Sequence, residues 1–162
     1  MREKQILREM TEAQIAYVAG IIDGEGLIYF NRKGDYYLLK LDVKNTAKQL
    51  LDWLQQTTGM GSMRLLKTRA NRQPCWEWRL SSSQALQLLT VVQPYIVIKT
   101  DQIDIAIKYQ NLPAPQRFSE GERYHREMKA MHLPAMRLRA ATQLLADKPM
   151  EDAAVQTHIE TS

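Results

Sequence analysis

A single cysteine, Cys75, is all that the 162 residues contain. That leaves no internal disulfide framework and no cysteine-cluster zinc site, and it favours a reducing compartment. Long apolar runs are missing too. No stretch reaches the roughly 20 residues needed to cross a bilayer, which excludes a membrane-spanning chain. The opening Met1-Arg2-Glu3-Lys4-Gln5 is charged and leads into no apolar core, so it does not read as a secretory signal. There are only three histidines, His125, His132 and His158, and their spacing fits no metal site. The expectation is an intracellular protein, cytoplasmic or organellar, not secreted. The closing Ile159-Glu160-Thr161-Ser162 is unlike an intein end, so a free-standing protein is expected.

What is present is ordinary in bulk and uneven in detail. With 44% hydrophobic and 25% charged residues, the composition is that of a globular domain. The formal charge of +4 and pI near 9.2 hint only mildly at a polyanionic partner. Between Asn31 and Arg72, however, nine bases (Arg32, Lys33, Lys40, Lys44, Lys48, Arg64, Lys67, Arg69, Arg72) face three acids (Asp35, Asp42, Asp52), a local net of +6. From Asp147 onward four acids face Lys148 alone, and no apolar period is visible, so residues 147–162 read as a disordered acidic tail. A solvated face would explain the basic cluster equally well until geometry is added.

Periodicity supplies that geometry. Thr11-Glu12-Ala13-Gln14 has capping-box spacing and predicts a first helix running to the glycines at 24 and 26. Strands are predicted over 27–32, 36–45, 62–69 and 75–81, with a second helix capped by Thr46 or Asn45 and ending near Gly59-Met60-Gly61, and further helices over 82–92, 100–111 and 119–131. Ser119-Glu120-Gly121-Glu122 is read as a second N-terminal box, and Pro134 as the start of one more short helix. Ser81-Ser82-Ser83 is read as capping material for the third helix. In the second strand Leu39, Leu41 and Val43 alternate with Leu38, Lys40, Asp42 and Lys44; in the fourth Trp76, Trp78 and Leu80 alternate with Cys75, Glu77 and Arg79. The order αββαββα implies an α+β domain, a four-stranded antiparallel sheet with helices on one face and further helices C-terminal. Its other face would present Asn31, Lys40, Asp42, Lys44, Arg64, Glu77 and Arg79 to solvent or to a partner. Bases interleaved with amides and acids suit a surface that meets both phosphates and base edges.

The first helix is odd at two points. Ala16, Gly20 and Gly24 recur every four residues and lay near-bare backbone along one side, although glycine inside a helix costs about 1 kcal/mol against alanine. Close approach of another backbone would account for it. Asp23 and Glu25 sit at the helix C-terminus, where the macrodipole disfavours carboxylates by about 0.3–1 kcal/mol. A bound divalent cation would reverse that sign. A calcium loop does not fit, because its third ligand position is Leu27 and its twelfth Gly34.

The run Val18-Ala19-Gly20-Ile21-Ile22-Asp23-Gly24-Glu25-Gly26 resembles the LAGLIDADG motif of homing endonucleases, with Val18, Gly24 and Glu25 among its departures. Val43-Lys44-Asn45-Thr46, Gly59-Met60-Gly61, Cys75-Trp76-Glu77-Trp78-Arg79-Leu80 and Gln93-Pro94-Tyr95-Ile96-Val97-Ile98-Lys99 carry the resemblance further, over about residues 10–130. It implies a saddle-shaped sheet, an endonuclease domain over 11–132, an N-terminal extension over 1–10, and a C-terminal helix with its tail over 133–162. Glu25 is similar to the family's metal-coordinating acid, with the Gly24 carbonyl as a further ligand and Asp23 as the second motif acid. Lys99 is similar to the base beside the scissile phosphate. Asn45, with Lys44 as the alternative, is similar to the polar residue that holds the water network. The implied cofactor is Mg2+, with Mn2+ or Ca2+ as structural substitutes.

One motif resembles half of a complete site, so the resemblance implies a homodimer joined through Ala16, Gly20, Ile21 and Gly24 on a long, near-palindromic DNA duplex. DNA contacts are expected from Asn31, Arg32, Lys33, Lys40, Asp42, Lys44, Arg64, Lys67, Arg69, Arg72, Glu77 and Arg79. The implied activity is metal-dependent, site-specific cleavage of both DNA strands, in the service of intron homing. The competing expectation is a catalytically reduced RNA maturase or DNA-binding regulator on the same scaffold. A plain structural domain is the third.

Overall fold

Thr11 begins the first helix as its spacing predicts: its hydroxyl accepts the Gln14 N–H at 3.2 Å while the Gln14 side chain accepts the Thr11 N–H at 2.9 Å. Helix α1 (Glu12–Glu25) buries Val18, Ala19, Ile21 and Ile22 and leaves Ala16, Gly20 and Gly24 exposed. Gly26 ends it in extended backbone and starts β1 (Gly26–Lys33), which turns through Gly34 into β2 (Tyr36–Asn45). The Asn45 side-chain oxygen accepts the Ala47 N–H at 2.8 Å and leads the chain into α2 (Lys48–Thr58). Left-handed Gly59 stops that helix. Then follow β3 (Ser62–Leu66), β4 (Cys75–Ser81), α3 (Ser83–Val92), a 3-10 turn (Gln93–Tyr95), α4 (Thr100–Asn111) and α5 (Ala114–Ala146).

The computed structural model describes residues 5–67 and 72–146. The chain divides into two units, Met1–Met131 and His132–Ser162. The expected acidic tail and Arg69 lie outside the described residues. Residues 5–10 are tied into the first unit: Arg8 N–H donates to the Thr58 carbonyl at 2.9 Å, Leu7 N–H to the Gln87 side chain at 3.1 Å, and Leu7 and Met10 pack on the core.

All neighbouring strands are antiparallel in the order β1-β2-β4-β3. The register aligns Ile28 with Leu41 and Leu41 with Leu80, and places Val43, Trp78 and Met63 in one row. These residues face the helices. There the fully buried Ile28, Leu39, Leu41, Trp78 and Leu80 meet Ile22, Leu51, Leu54, Leu88, Leu89 and Ile103. Each such side chain contributes about 1.5–3 kcal/mol by leaving water. The Trp78 indole N–H donates to the Met60 carbonyl at 3.0 Å. Gly61 has φ +92, and a Cβ there would collide with that indole, which is why the turn after α2 needs glycine.

Two expectations change. The helices predicted from Ser119 and from Pro134 are one, α5, which begins at Ala114. Pro115 falls in its first turn, where a missing N–H is harmless. Ser119 is inside the helix and its hydroxyl donates back to the Gln116 carbonyl at 3.2 Å. Gly121, within the expected box, is buried where α5 crosses Tyr37; a Cβ there would lie 2.7 Å from that ring. Among the described residues no helix is long and apolar enough to cross a membrane.

Candidate functional site

The end of α1 is held by an exchange of hydrogen bonds with the start of α4. The Asp23 carboxylate accepts backbone N–H groups from Val97 (2.8 Å), Ile98 (3.2 Å) and Lys99 (3.2 Å). In return the Lys99 ammonium donates to the carbonyls of Ile22 (2.7 Å) and Asp23 (2.6 Å). The Ile22 carbonyl already accepts the Gly26 N–H; the lysine adds a second bond there, takes up the Asp23 carbonyl and offsets the partial negative charge of the helix C-terminus. Asp23 therefore spends most of its lone pairs on backbone N–H groups. Glu25, two residues on, is exposed, and among the described residues nothing hydrogen-bonds or ion-pairs with it.

The strip that leads to Glu25 is bare. A Cβ at Gly20 or Gly24 would meet nothing within 4 Å. Ile21 does not share that face; it turns into the core and is 8% exposed, because it falls on the buried side of the 3.6-residue period with Val18 and Ile22. The exposed apolar groups near the end of α1 are instead Val97 (83% exposed) and Ile98 (77%). Only the tertiary contact with Asp23 reveals them, since they are distant in sequence.

The outer face of the sheet carries the second group. Asp42 sits opposite Arg79, and Glu77 is flanked by Lys44 on β2 and Arg64 on β3. Arg79 clamps Asp42 with two bonds, Nε to Oδ1 at 2.7 Å and Nη2 to Oδ2 at 2.6 Å, and reaches the Tyr29 hydroxyl at 3.1 Å. Tyr29 donates to Asp42 at 3.0 Å. Glu77 accepts from Arg64 Nε and lies 3.3 Å from Arg79 and 3.7 Å from Lys44. Lys40 donates to Ser81 at 2.6 Å, so this serine binds a base instead of capping α3.

The electrostatics follow from burial. Asp42 is 2% and Glu77 0% exposed, although both lie on the solvent side of the sheet. The cationic side chains cover them. Hydrogen bonding to Asp42 holds the Arg79 guanidinium still further above its usual range. Burial, and then the Asp42 charge, push the Tyr29 phenol up to about 12. Burial draws the Lys40 ammonium down, as does nearby Arg79.

Of the residues expected on this face, Asn31, Lys33, Lys44 and Arg64 are exposed on it, while Lys67 and Arg72 are exposed beyond the ends of β3 and β4. Arg32 falls on the opposite side of β1 and its Nε donates to the Gly34 carbonyl at 3.1 Å. Asp42 and Glu77 lie beneath the surface as counter-ions, not as groups open to a base; the desolvated acids beneath Arg79 and Arg64 are what alternation alone could not predict. Tyr29 was missed, although its place two residues before Asn31 puts it in the same row. Asn45 follows the Gly26–Val43 pair by two residues, toward the end of the sheet where α1 stops.

Whether this chain suits a divalent cation is a question of donors. Glu25 offers an open carboxylate, and Gly24 the next carbonyl after the two that Lys99 takes; both are hard oxygens of the kind Mg2+ prefers. Among the described residues no cluster of three or more His, Cys, Asp or Glu could hold a metal. Mg2+ demands a near-octahedral shell. Glu25 and the Gly24 carbonyl supply two of the hard-oxygen donors that such a shell takes.

Element order, sheet and exposed helix end together are the fold of the LAGLIDADG homing endonucleases. Among solved structures, I-CvuI in complex with the I-CreI target, determined in the presence of Mg with the DNA not cleaved, matches at TM-score 0.61 and 20% identity over 74% of this chain and 82% of its own. The archaeal intron-encoded I-Vdi141I, complexed with DNA, matches at TM-score 0.54 and 14% identity, over 62% of this chain and 68% of its own. I-SmaMI, a LAGLIDADG homing endonuclease bound to cleaved DNA, matches at TM-score 0.53 and 15% identity, over 75% of this chain but 45% of its own. No protein-family model and no curated protein matches the sequence. At these identities the likeness is one of fold.

Proposed function

We propose that the chain is a homodimeric, intron-encoded homing endonuclease that cuts both strands of a long pseudo-palindromic DNA site with the help of Mg2+. The observation that carries this is the unpartnered Glu25 carboxylate, two residues beyond the carbonyl that Lys99 holds, at the end of a helix edge bare at Gly20 and Gly24. In the proposed dimer the Ala16/Gly20/Gly24 edges meet about a two-fold axis, Val97 and Ile98 extend the contact, and two Glu25 side chains come together. Single-motif length and the match to about half of I-SmaMI support that arrangement. The DNA-bound relatives support duplex DNA as the ligand.

In this reading Glu25 and the Gly24 carbonyl hold the cation. What Mg2+ supplies there is an activated water and charge compensation at the leaving 3′ oxygen. Lys99, seated on the last carbonyls of α1, presents positive charge toward the scissile phosphate and offsets the charge that develops on it. Asn45, its oxygen already on Ala47, keeps its amide N–H groups to orient water.

The test is incubation of the purified chain with a randomised duplex library and Mg2+, followed by sequencing of the ends. Recovery of one site cut on both strands is the expected result. Tight RNA binding with no cut in any library would sink the nuclease reading in favour of the maturase.

A further inference from the structure

The two arginines of the outer sheet face are built for different work. Arg79 is consumed internally: its Nε and Nη2 clamp Asp42, and Nη2 also meets the Tyr29 hydroxyl. With Nη2 spent, Arg79 lacks the pair of parallel N–H bonds that an end-on guanidinium uses for bidentate contact. It is 27% exposed. Arg64 is held differently. Its Nε alone donates to Glu77, and among the described residues neither Nη1 nor Nη2 is hydrogen-bonded. Its side chain is 56% exposed while the carboxylate gripping it is wholly buried.

We infer that Arg64, held at Nε by the buried Glu77, is the residue of this face that reads a guanine in the major groove through its free Nη1/Nη2 fork. Guanine presents two acceptors there, N7 and O6, at the spacing of that fork, and no other base does. Glu77 is the positioning residue. An arginine anchored on one edge has fewer side-chain states to lose on binding, and its free edge points one way. Arg79 is a strut that keeps Asp42 neutralised and the centre of the sheet rigid. This assignment rests on the endonuclease reading, since it requires the sheet face to lie on duplex DNA.

A phosphate contact by Arg64 would leave another signature. It would weaken all sequences alike and take about one unit from the salt dependence, whereas a base contact changes preference at one position.

The experiment is selection of bound sites from a randomised duplex library by the full chain, repeated with Arg64→Ala, Arg64→Lys, Arg79→Lys and Glu77→Gln, each checked for folding by thermal melting. The wild type should select a guanine at one position of each half-site. Arg64→Ala and Arg64→Lys should both erase that preference, a loss of roughly 5- to 150-fold, since lysine keeps the charge but not the fork. Glu77→Gln should reduce the same preference while raising affinity for unrelated sequences, which a merely misfolded chain would not do. A uniform loss of affinity in Arg64→Ala, or erasure of the guanine by Arg79→Lys with Arg64→Lys unchanged, would overturn the assignment and leave DNA recognition standing. A well-folded wild type that selects no DNA sequence would overturn both.

Discussion

The outer face of the sheet and the outer edge of α1 are both exposed surfaces on one small unit, yet they are finished to opposite degrees. On the sheet, Asp42 and Glu77 lie beneath Lys40, Lys44, Arg64 and Arg79, so half the positive charge is already answered inside the protein. Such a surface meets a partner with its side chains set, and ordering them on contact costs little. Along α1 the reverse holds. Glu25 is unpartnered, Gly20 and Gly24 face open space, and Val97 and Ile98 stand out in water. Internal hydrogen bonding marks a surface that receives something. Unanswered groups mark one that is completed by something.

Breaking the edge at its acid should have the largest effect. In Glu25→Gln, cleavage in Mg2+ should fall by several orders of magnitude with DNA affinity within a few-fold; full activity would remove Glu25 from the metal site. Gly20→Leu should come next. Its side chain meets nothing in one protomer, so the melting temperature of the monomer should hold while sedimentation shows the dimer lost, and an intact, active dimer would refute the packing.

The sheet face should respond in stability instead. Asp42→Ala leaves Arg79 and Tyr29 without their acceptor, a loss expected at about 2–3 kcal/mol by urea denaturation. A change below about 0.5 kcal/mol would show that the clamp is idle. Gly20→Ala sharpens the contrast from the other side. It should raise monomer stability by about 1 kcal/mol through helix propensity alone while weakening association. The smallest effect is spectroscopic. Tyr29 keeps its proton to about pH 12 when folded and releases it near its ordinary 10 when unfolded. The unfolded chain then binds fewer protons, so stability declines as pH rises through that window. Ultraviolet titration should place one phenol near 12 and find it lowered in Asp42→Asn; every phenol near 10 would refute the contact.

Much of this was legible beforehand because it depends on neighbours in sequence. The alternation of Leu39, Leu41 and Val43 with Lys40, Asp42 and Lys44 predicts β2 to the residue, and Thr11 with Gln14 predicts the start of α1. Ile21, expected at the bare edge of α1, turns into the core, because a helix assigns faces by rotation. The break expected at Ser119 is overridden by packing of the kind that buries Gly121 against Tyr37, and at Pro134 the helix continues. Asp42 and Glu77 were rightly set on the outer row, but burial there depends on the reach of Arg79 and Arg64 from neighbouring strands. The reach of Asp23 to the backbone of 97–99 spans 74 residues at its shortest, beyond any periodicity.

That last contact makes the junction of α1 and α4 a double latch. Each side chain grips backbone at the other's helix end, so either one alone still ties the end of α1 to the start of α4. Substitutions at the two should be far from additive. Removing one side chain should leave the other's hydrogen bonds in place, and only the loss of both should free the end of α1 from residues 97–99.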